Sequence, residues 1–234
     1  MNTQLLLGIQ APEYARFERY WPGADSNNCL ALELCQQAAR NEGERQCFLY
    51  GDEAVGKTHL LQAACAEAAL NGLSASFIPL REMVTYGCGV LQGLEQQQLV
   101  CIDDIHVIAG QAGWEEAVFD LINRCREQDT RLLMSSSIPA SSHAFELGDL
   151  RSRLAWGPVL QLHELQQDEK WQWLQARAEY RGFFISEESG QYLFAHYPRS
   201  MAFLNYALEE LDRITLQTQR KVTVPLLKQE LNAP

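Results

Sequence analysis

Apolar and polar positions change rhythm twice along the chain. Between residues 46 and 162 short, continuous apolar runs recur: Gln46-Cys47-Phe48-Leu49-Tyr50, Ala75-Ser76-Phe77-Ile78-Pro79, Leu99-Val100-Cys101-Ile102, Arg131-Leu132-Leu133-Met134 and Pro158-Val159-Leu160-Gln161-Leu162. Runs of this length without alternation suit strands of a parallel sheet covered on both faces. Helical spacing lies between them, from His59 onward and over Trp114 to Gln128, where Val118, Leu121, Ile122 and Cys125 share one face. Upstream, Leu30, Leu34 and Ala38 predict a helix from near Leu30 toward Arg40, with Asn27 or Asn28 as its cap. The alternation predicts an α/β fold, a three-layer α/β/α parallel sheet.

From Asp168 onward the pattern is helical only. One helix is predicted from Asp168 to Arg181, stopped by Gly182, and a second from a Ser186 cap to about His196. A third follows Pro198-Arg199, with Met201, Leu204, Leu208, Leu211 and Thr215 at helical spacing, and a short fourth starts at Thr223 and Pro225. These helices form a small all-α lid domain. The predicted organisation is therefore an N-terminal segment over 1–12, a nucleotide-binding body over 13–165 and a lid over 166–234, with a hinge at 163–167.

The chemistry centres on Gly51-Asp52-Glu53-Ala54-Val55-Gly56-Lys57-Thr58, which matches G-x-x-x-x-G-K-[ST] at every fixed position and sits between a predicted strand and a predicted helix. Glycines let such a loop curl until its N–H groups converge, and the helix N-terminus adds partial positive charge to the same anion site. Glu53, Ala54, Val55, Gly56, Lys57, Thr58 and His59 are the candidate phosphate-binding residues. Lys57 is positioned to reach the terminal phosphates and Thr58 to hold Mg²⁺. The strand over Leu99–Ile102 ends in Asp103 and Asp104. Asp103 is expected to bind Mg²⁺ through water and Asp104 to orient an attacking water. Upstream, the rings of Phe17, Tyr20 and Trp21 with Pro22 form either a wall for a nucleotide base or part of the core. Ser135, Ser136 and Ser137 either face the γ-phosphate region or simply end a strand.

Composition narrows the partners. A net charge of −11 provides no general attraction to nucleic acid or anionic membrane. The seven cysteines, at 29, 35, 47, 65, 88, 101 and 125, contain no C-x-x-C pair and read as free thiols of a reducing cytosol. The histidines show no ligand spacing. No run of about 18 apolar residues predicts a membrane span, and Met1-Asn2-Thr3-Gln4 lacks the charges of a secretory signal. The expected location is cytoplasmic.

The combination resembles AAA+ ATPases, and within them the family of the replication initiator DnaA. The resemblance covers residues 13 to 231 and rests on three stretches: Ile102-Asp103-Asp104-Ile105 with Ala109-Gly110; Asp149-Leu150-Arg151-Ser152-Arg153-Leu154-Ala155-Trp156-Gly157; and Arg199-Ser200-Met201-Ala202-Phe203-Leu204. It implies an intersubunit arginine finger at Arg153, with Arg151 as the neighbouring candidate, and a lid arginine at Arg199 that contacts the chain's own nucleotide. On the residues alone, Arg153 would be a surface salt-bridge partner.

The chain stops where DnaA continues into its DNA-reading domain, so the resemblance points to the DnaA-related regulatory inactivators. Gln4-Leu5-Leu6-Leu7-Gly8-Ile9 is then similar to a sliding-clamp motif, with Gln4, Leu5, Leu7 and Ile9 matching by type and Gly8 where proline is usual. From composition alone the same segment packs on its own domain. Implied cofactors are ADP and Mg²⁺. Implied partners are DnaA and the sliding clamp (the DNA polymerase III beta subunit), with DNA reached mainly through the clamp and a homo-oligomer possible. Ser137 stands where the initiators commonly carry an aspartate sensor. Two alternatives compete: a self-hydrolysing helicase loader or remodeller, and a small-molecule P-loop kinase, against which the wholly helical C-terminal part argues.

Overall fold

The computed structural model describes residues 16–218 and 222–231. The segment read as a clamp motif, residues 4–9, lies outside the described residues. The chain divides into two compact units between His163 and Glu164.

The first unit alternates helix and strand: α1 (Ser26–Ala39), β1 (Gln46–Tyr50), α2 (Lys57–Leu70), β2 (Ala75–Pro79), α3 (Leu80–Met83), β3 (Leu99–Asp103), α4 (Ala112–Glu127), β4 (Arg131–Ser136), α5 (Gly148–Leu154) and β5 (Val159–Gln161). The strands form one parallel sheet in the order β2-β3-β4-β1-β5. Strand periodicity explains its apolar runs, because alternate residues face opposite layers. Phe48, Val100, Ile102, Leu132 and Met134 pack with Val118, Leu121 and Ile122 of α4 and Leu150 and Leu154 of α5. Cys47, Leu49, Leu99, Cys101 and Leu133 pack on the other face with Ala31 and Cys35 of α1 and Leu60, Leu61 and Ala64 of α2. Burying one such leucine contributes roughly 1.5–3 kcal/mol.

Two sequence expectations are corrected here. The first helix begins at Ser26, not near Leu30, and its cap is Asp25 rather than Asn27 or Asn28. One Asp25 carboxylate oxygen accepts from the N–H groups of both asparagines, at 2.9 and 3.0 Å, which also holds its carboxyl below the usual range. The buried Asn28 side chain instead donates to Pro22 O and His163 O and accepts from His163 N–H. Between β2 and β3 the sequence suggested no element, yet α3 and three 3₁₀ turns, Val84–Tyr86, Cys88–Leu91 and Leu94–Gln96, fill the stretch. Gly87 and Gly93 both take positive φ and break it into pieces too short to show a period.

The second unit contains α6 (Gln167–Tyr180), α7 (Glu187–His196), α8 (Met201–Thr218) and α9 (Val224–Glu230). Trp173, Leu174, Leu193, Leu204, Leu208, Leu211 and Leu227 form its core. Gln166 and Glu169 form a reciprocal cap at the start of α6, and Phe183 N–H returns to Ala178 O past Gly182 at its end. Ser186 caps α7 by accepting from Ser189 N–H.

Candidate functional site

The order of the strands creates a crevice. From β1 the chain leaves through α2 on one face, and from the adjacent β4 it leaves through α5 on the other. Adjacent strands whose connections depart to opposite faces leave an opening at their carboxyl ends. Gly51–Thr58 lies at that end of β1, and Asp103 ends β3 one strand beyond β4.

Both fixed glycines of the loop have local reasons. Gly51 has φ 146°, and a Cβ there would stand 2.4 Å from Leu162 O. Gly56 has φ 98°, and a Cβ there would stand 2.6 Å from the Tyr20 ring. Ala54 is also left-handed, at φ 61°. Gly56 precedes α2 with no side-chain cap, so the first N–H groups of that helix are available to an anion. Lys57 is only 7% exposed and donates from Nζ to Gly51 O and Asp52 O, at 2.8 and 2.6 Å. Burial pushes its ammonium pKa down, while Asp104 and Asp103 pull it back up.

Asp103 is 4% exposed. Burial raises its carboxyl pKa, and hydrogen bonds from the Ser135 and Thr58 hydroxyls oppose the rise. Ser135 Oγ donates to Asp103 Oδ1 and accepts from Asp104 N–H at 3.0 Å. Thr58 and Asp103 are thus neighbouring oxygen donors, a set that fits Mg²⁺ sharing its remaining positions with water and phosphate oxygens. Among the described residues no group of three or more His, Cys, Asp or Glu could hold a metal ion.

Asp104 is left-handed (φ 59°) and its Oδ2 accepts from Arg81 Nε at 3.0 Å. His106 Nδ1 lies 3.9 Å from the other carboxylate oxygen and accepts the Ser137 N–H at 3.1 Å. Burial lowers the His106 pKa. The carboxylate expected to orient water is therefore engaged by an arginine that sequence reasoning did not single out.

The aromatic cluster divides between its two readings. Phe17 is in the core, Tyr20 packs against Gly56 with His59 5.9 Å away ring to ring, and Trp21 is exposed. The buried Tyr20 hydroxyl has no hydrogen-bond partner among the described residues, and burial raises its pKa. Pro22 offers its carbonyl to Asn28.

The arginines of α5 differ in what they do. Arg151 donates from Nη1 to Phe145 O and Glu146 O and so ties its own loop. Arg153 is half-buried and donates from Nε to Asn123 Oδ1 at 2.8 Å, with its guanidinium 3.7 Å from the Trp156 ring centre. Gln46 Nε2 holds the carbonyl of Arg153 at 2.7 Å, at the amino end of β1. Four residue steps of strand separate that end from Tyr50, about 13 Å at 3.3 Å each, and the phosphate loop begins beyond. The buried Glu115 accepts from the N–H groups of Gly110, Glu146 and Leu147 and fixes the segment before α5. In the helical unit Arg199 is exposed and donates to Phe194 O and Gln167 Oε1, at 2.8 and 2.9 Å.

Residues 167–231 match the family model described as the Hda lid domain. In overall structure the chain is similar to domain III of the Thermotoga maritima replication initiation protein DnaA, at TM-score 0.80 and 19% identity over 94% of this chain and 98% of that one. It is similar also to AMPPCP-bound DnaA from Aquifex aeolicus, at 0.73 and 19% over 95% and 70%. A mutant of RuvB from Thermotoga maritima matches at 0.63 and 15% over 93% and 72%. The chain shares the fold of these structures, a parallel α/β/α body followed in sequence by a helical unit.

Proposed function

We propose that this Hda/DnaA-like AAA+ protein is a regulatory inactivator of the initiator DnaA. It holds ADP in its own phosphate loop, is brought to DnaA by the DNA-loaded sliding clamp through Gln4, Leu5, Leu7 and Ile9, and inserts Arg153 beside ATP bound to DnaA. The outcome is hydrolysis of that ATP and restraint of chromosome replication in a bacterial cytoplasm. Among the described residues no helix is long and apolar enough to cross a membrane.

One observation carries the reading: Arg153 stands at the amino end of β1, the opposite end from Lys57. It is remote from its own phosphate loop, which leaves it to act on someone else's. Its positive charge would meet the charge that develops on the transferring phosphoryl oxygens, the kind of contact that contributes about 10³ to 10⁵ in rate in arginine-finger systems. In the chain's own pocket, Lys57 and the N-terminus of α2 would hold the phosphates, while Thr58 and Asp103 would hold Mg²⁺, which neutralises phosphate charge when bound. Tyr20, Trp21 and Pro22 would border the base, and Arg199 would link lid position to occupancy.

The test compares Arg153→Ala with Arg151→Ala in ATP turnover by DnaA with loaded clamp. Loss of stimulation in the first variant and its retention in the second is expected. Full stimulation by Arg153→Ala would overturn the assignment.

A further inference from the structure

Trp156 lies two residues past the end of α5 and is 39% exposed. Two guanidiniums lie over its ring, that of Arg153 at 3.7 Å and that of Arg126 at 3.9 Å from the centroid. The backbone beneath it is held firmly. Trp156 N–H donates to Arg153 O at 3.2 Å, and a Cβ on the following Gly157 would stand 2.0 Å from Gln46 O, so the chain is pressed against the start of β1. Trp156 and Arg126 also line a cleft of about 530 Å³ with Arg45, Cys125 and Gly157.

What this does to Arg153 follows from its inventory of donors. A guanidinium has five N–H groups. Asn123 takes the one on Nε, and among the described residues no hydrogen bond is made by Nη1 or Nη2. The Phe119 ring stands 5.5 Å from the guanidinium on a neighbouring turn of α4. The plane is thus fixed by ring contact and one hydrogen bond, while the two terminal groups that bind phosphate oxygens in a fork stay free. Arg151, by contrast, has committed Nη1 to backbone carbonyls.

We propose that Trp156 is a positioning residue that orients the Arg153 guanidinium for delivery into the triphosphate site of a second P-loop subunit, with Arg126 on the same ring restraining the indole. The inference rests on the finger reading of Arg153 given above. A flexible arginine must lose its rotamer freedom as the transition state forms, whereas a stacked one has lost it beforehand. Trp156 therefore acts on the maximal rate and little on association.

The experiment measures stimulated hydrolysis of ATP on DnaA, with loaded clamp, across a range of concentrations of this chain. Trp156→Ala is expected to lower the maximal rate about tenfold, equivalent to ~1.4 kcal/mol, with the half-saturating concentration changed less than about twofold. Trp156→Phe keeps an aromatic face and retains most of the rate; Trp156→Leu keeps apolar bulk without one and does not. In an Arg153→Ala background Trp156→Ala adds no further loss, because its action passes through the missing guanidinium. Wild-type rate in Trp156→Ala, equal rates in the Phe and Leu variants, a defect confined to half-saturation, or a further loss in the Arg153→Ala background would each overturn the platform. Those results leave the finger standing if Arg153→Ala alone is inactive, whereas an active Arg153→Ala removes finger and platform together.

Discussion

Ser135→Ala tests the electrostatics of the acid pair. The hydroxyl donates to Asp103 Oδ1 and accepts from Asp104 N–H, and both serine and Asp103 are almost wholly buried. A hydrogen bond to an ionised buried group is worth about 1.5–3 kcal/mol, against about 1 kcal/mol for a neutral one. Burial already holds the folded Asp103 pKa above its unfolded value of 3.8. Between those two pKa values the folded state keeps a proton that the unfolded state has released, so stability falls as pH rises across the window. Removing a donor to the anion raises the folded pKa further. The cost of the substitution should therefore grow with pH, from about 1 kcal/mol at a pH below the folded pKa, where Asp103 is protonated, to about 1.5–3 kcal/mol at a pH above it, where Asp103 is ionised. Because the chain has two compact units, the readout should be specific to the first. Native-state hydrogen exchange at the Cys101 and Ile102 amides of β3 provides it. A cost that is the same at both pH values, or absent, would refute the reasoning.

Gly56→Ala should reduce nucleotide affinity more than tenfold in calorimetric titration with ADP, since the site demands φ 98° and the added methyl meets Tyr20. Tyr20→Ala in the same protein should recover part of the loss by removing the clash. Arg81→Ala frees the Asp104 carboxylate from a pair whose arginine is 59% exposed. An exposed pair is worth up to about 1 kcal/mol, so the chain's own single-turnover ATP hydrolysis should rise by at most about fivefold; a fall would show that Arg81 assists instead. Deleting residues 1–9 should abolish binding to the clamp by surface plasmon resonance while leaving ADP affinity intact.

How much was legible in the sequence depended on the range of the interaction. The strand runs, the phosphate loop and the lid helices are local patterns, each set by a period or a fixed spacing, and the sheet and lid follow them closely. The start of α1 was misread because Asp25, Asn27 and Asn28 are all competent caps within four residues, and only the tertiary use of Asn28 by His163 decides among them. Spacing alone said nothing of the different surroundings of Arg151 and Arg153, which arise from Asn123 and Gln46, 30 and 107 residues away in sequence, and from the carbonyls that occupy Arg151. Arg81 is 23 residues from Asp104, and Glu115 reaches forward 31 and 32 residues to Glu146 and Leu147. Such pairings leave no periodic trace. An indole three residues after an arginine in Arg153-Leu154-Ala155-Trp156 was a signal available beforehand, because the turn that ends α5 closes from Trp156 N–H to Arg153 O and brings the two side chains together.

The central claim is that hydrolysis occurs on a neighbour's nucleotide and uses this chain's arginine. The most direct measurement loads DnaA with [α-³²P]ATP, supplies this chain preloaded with unlabelled ADP together with DNA-loaded clamp, and quantifies labelled ADP retained on DnaA. Conversion should be as fast with Asp104→Asn as with the unmodified chain and should disappear with Arg153→Ala. Conversion lost with Asp104→Asn and preserved with Arg153→Ala would contradict the account.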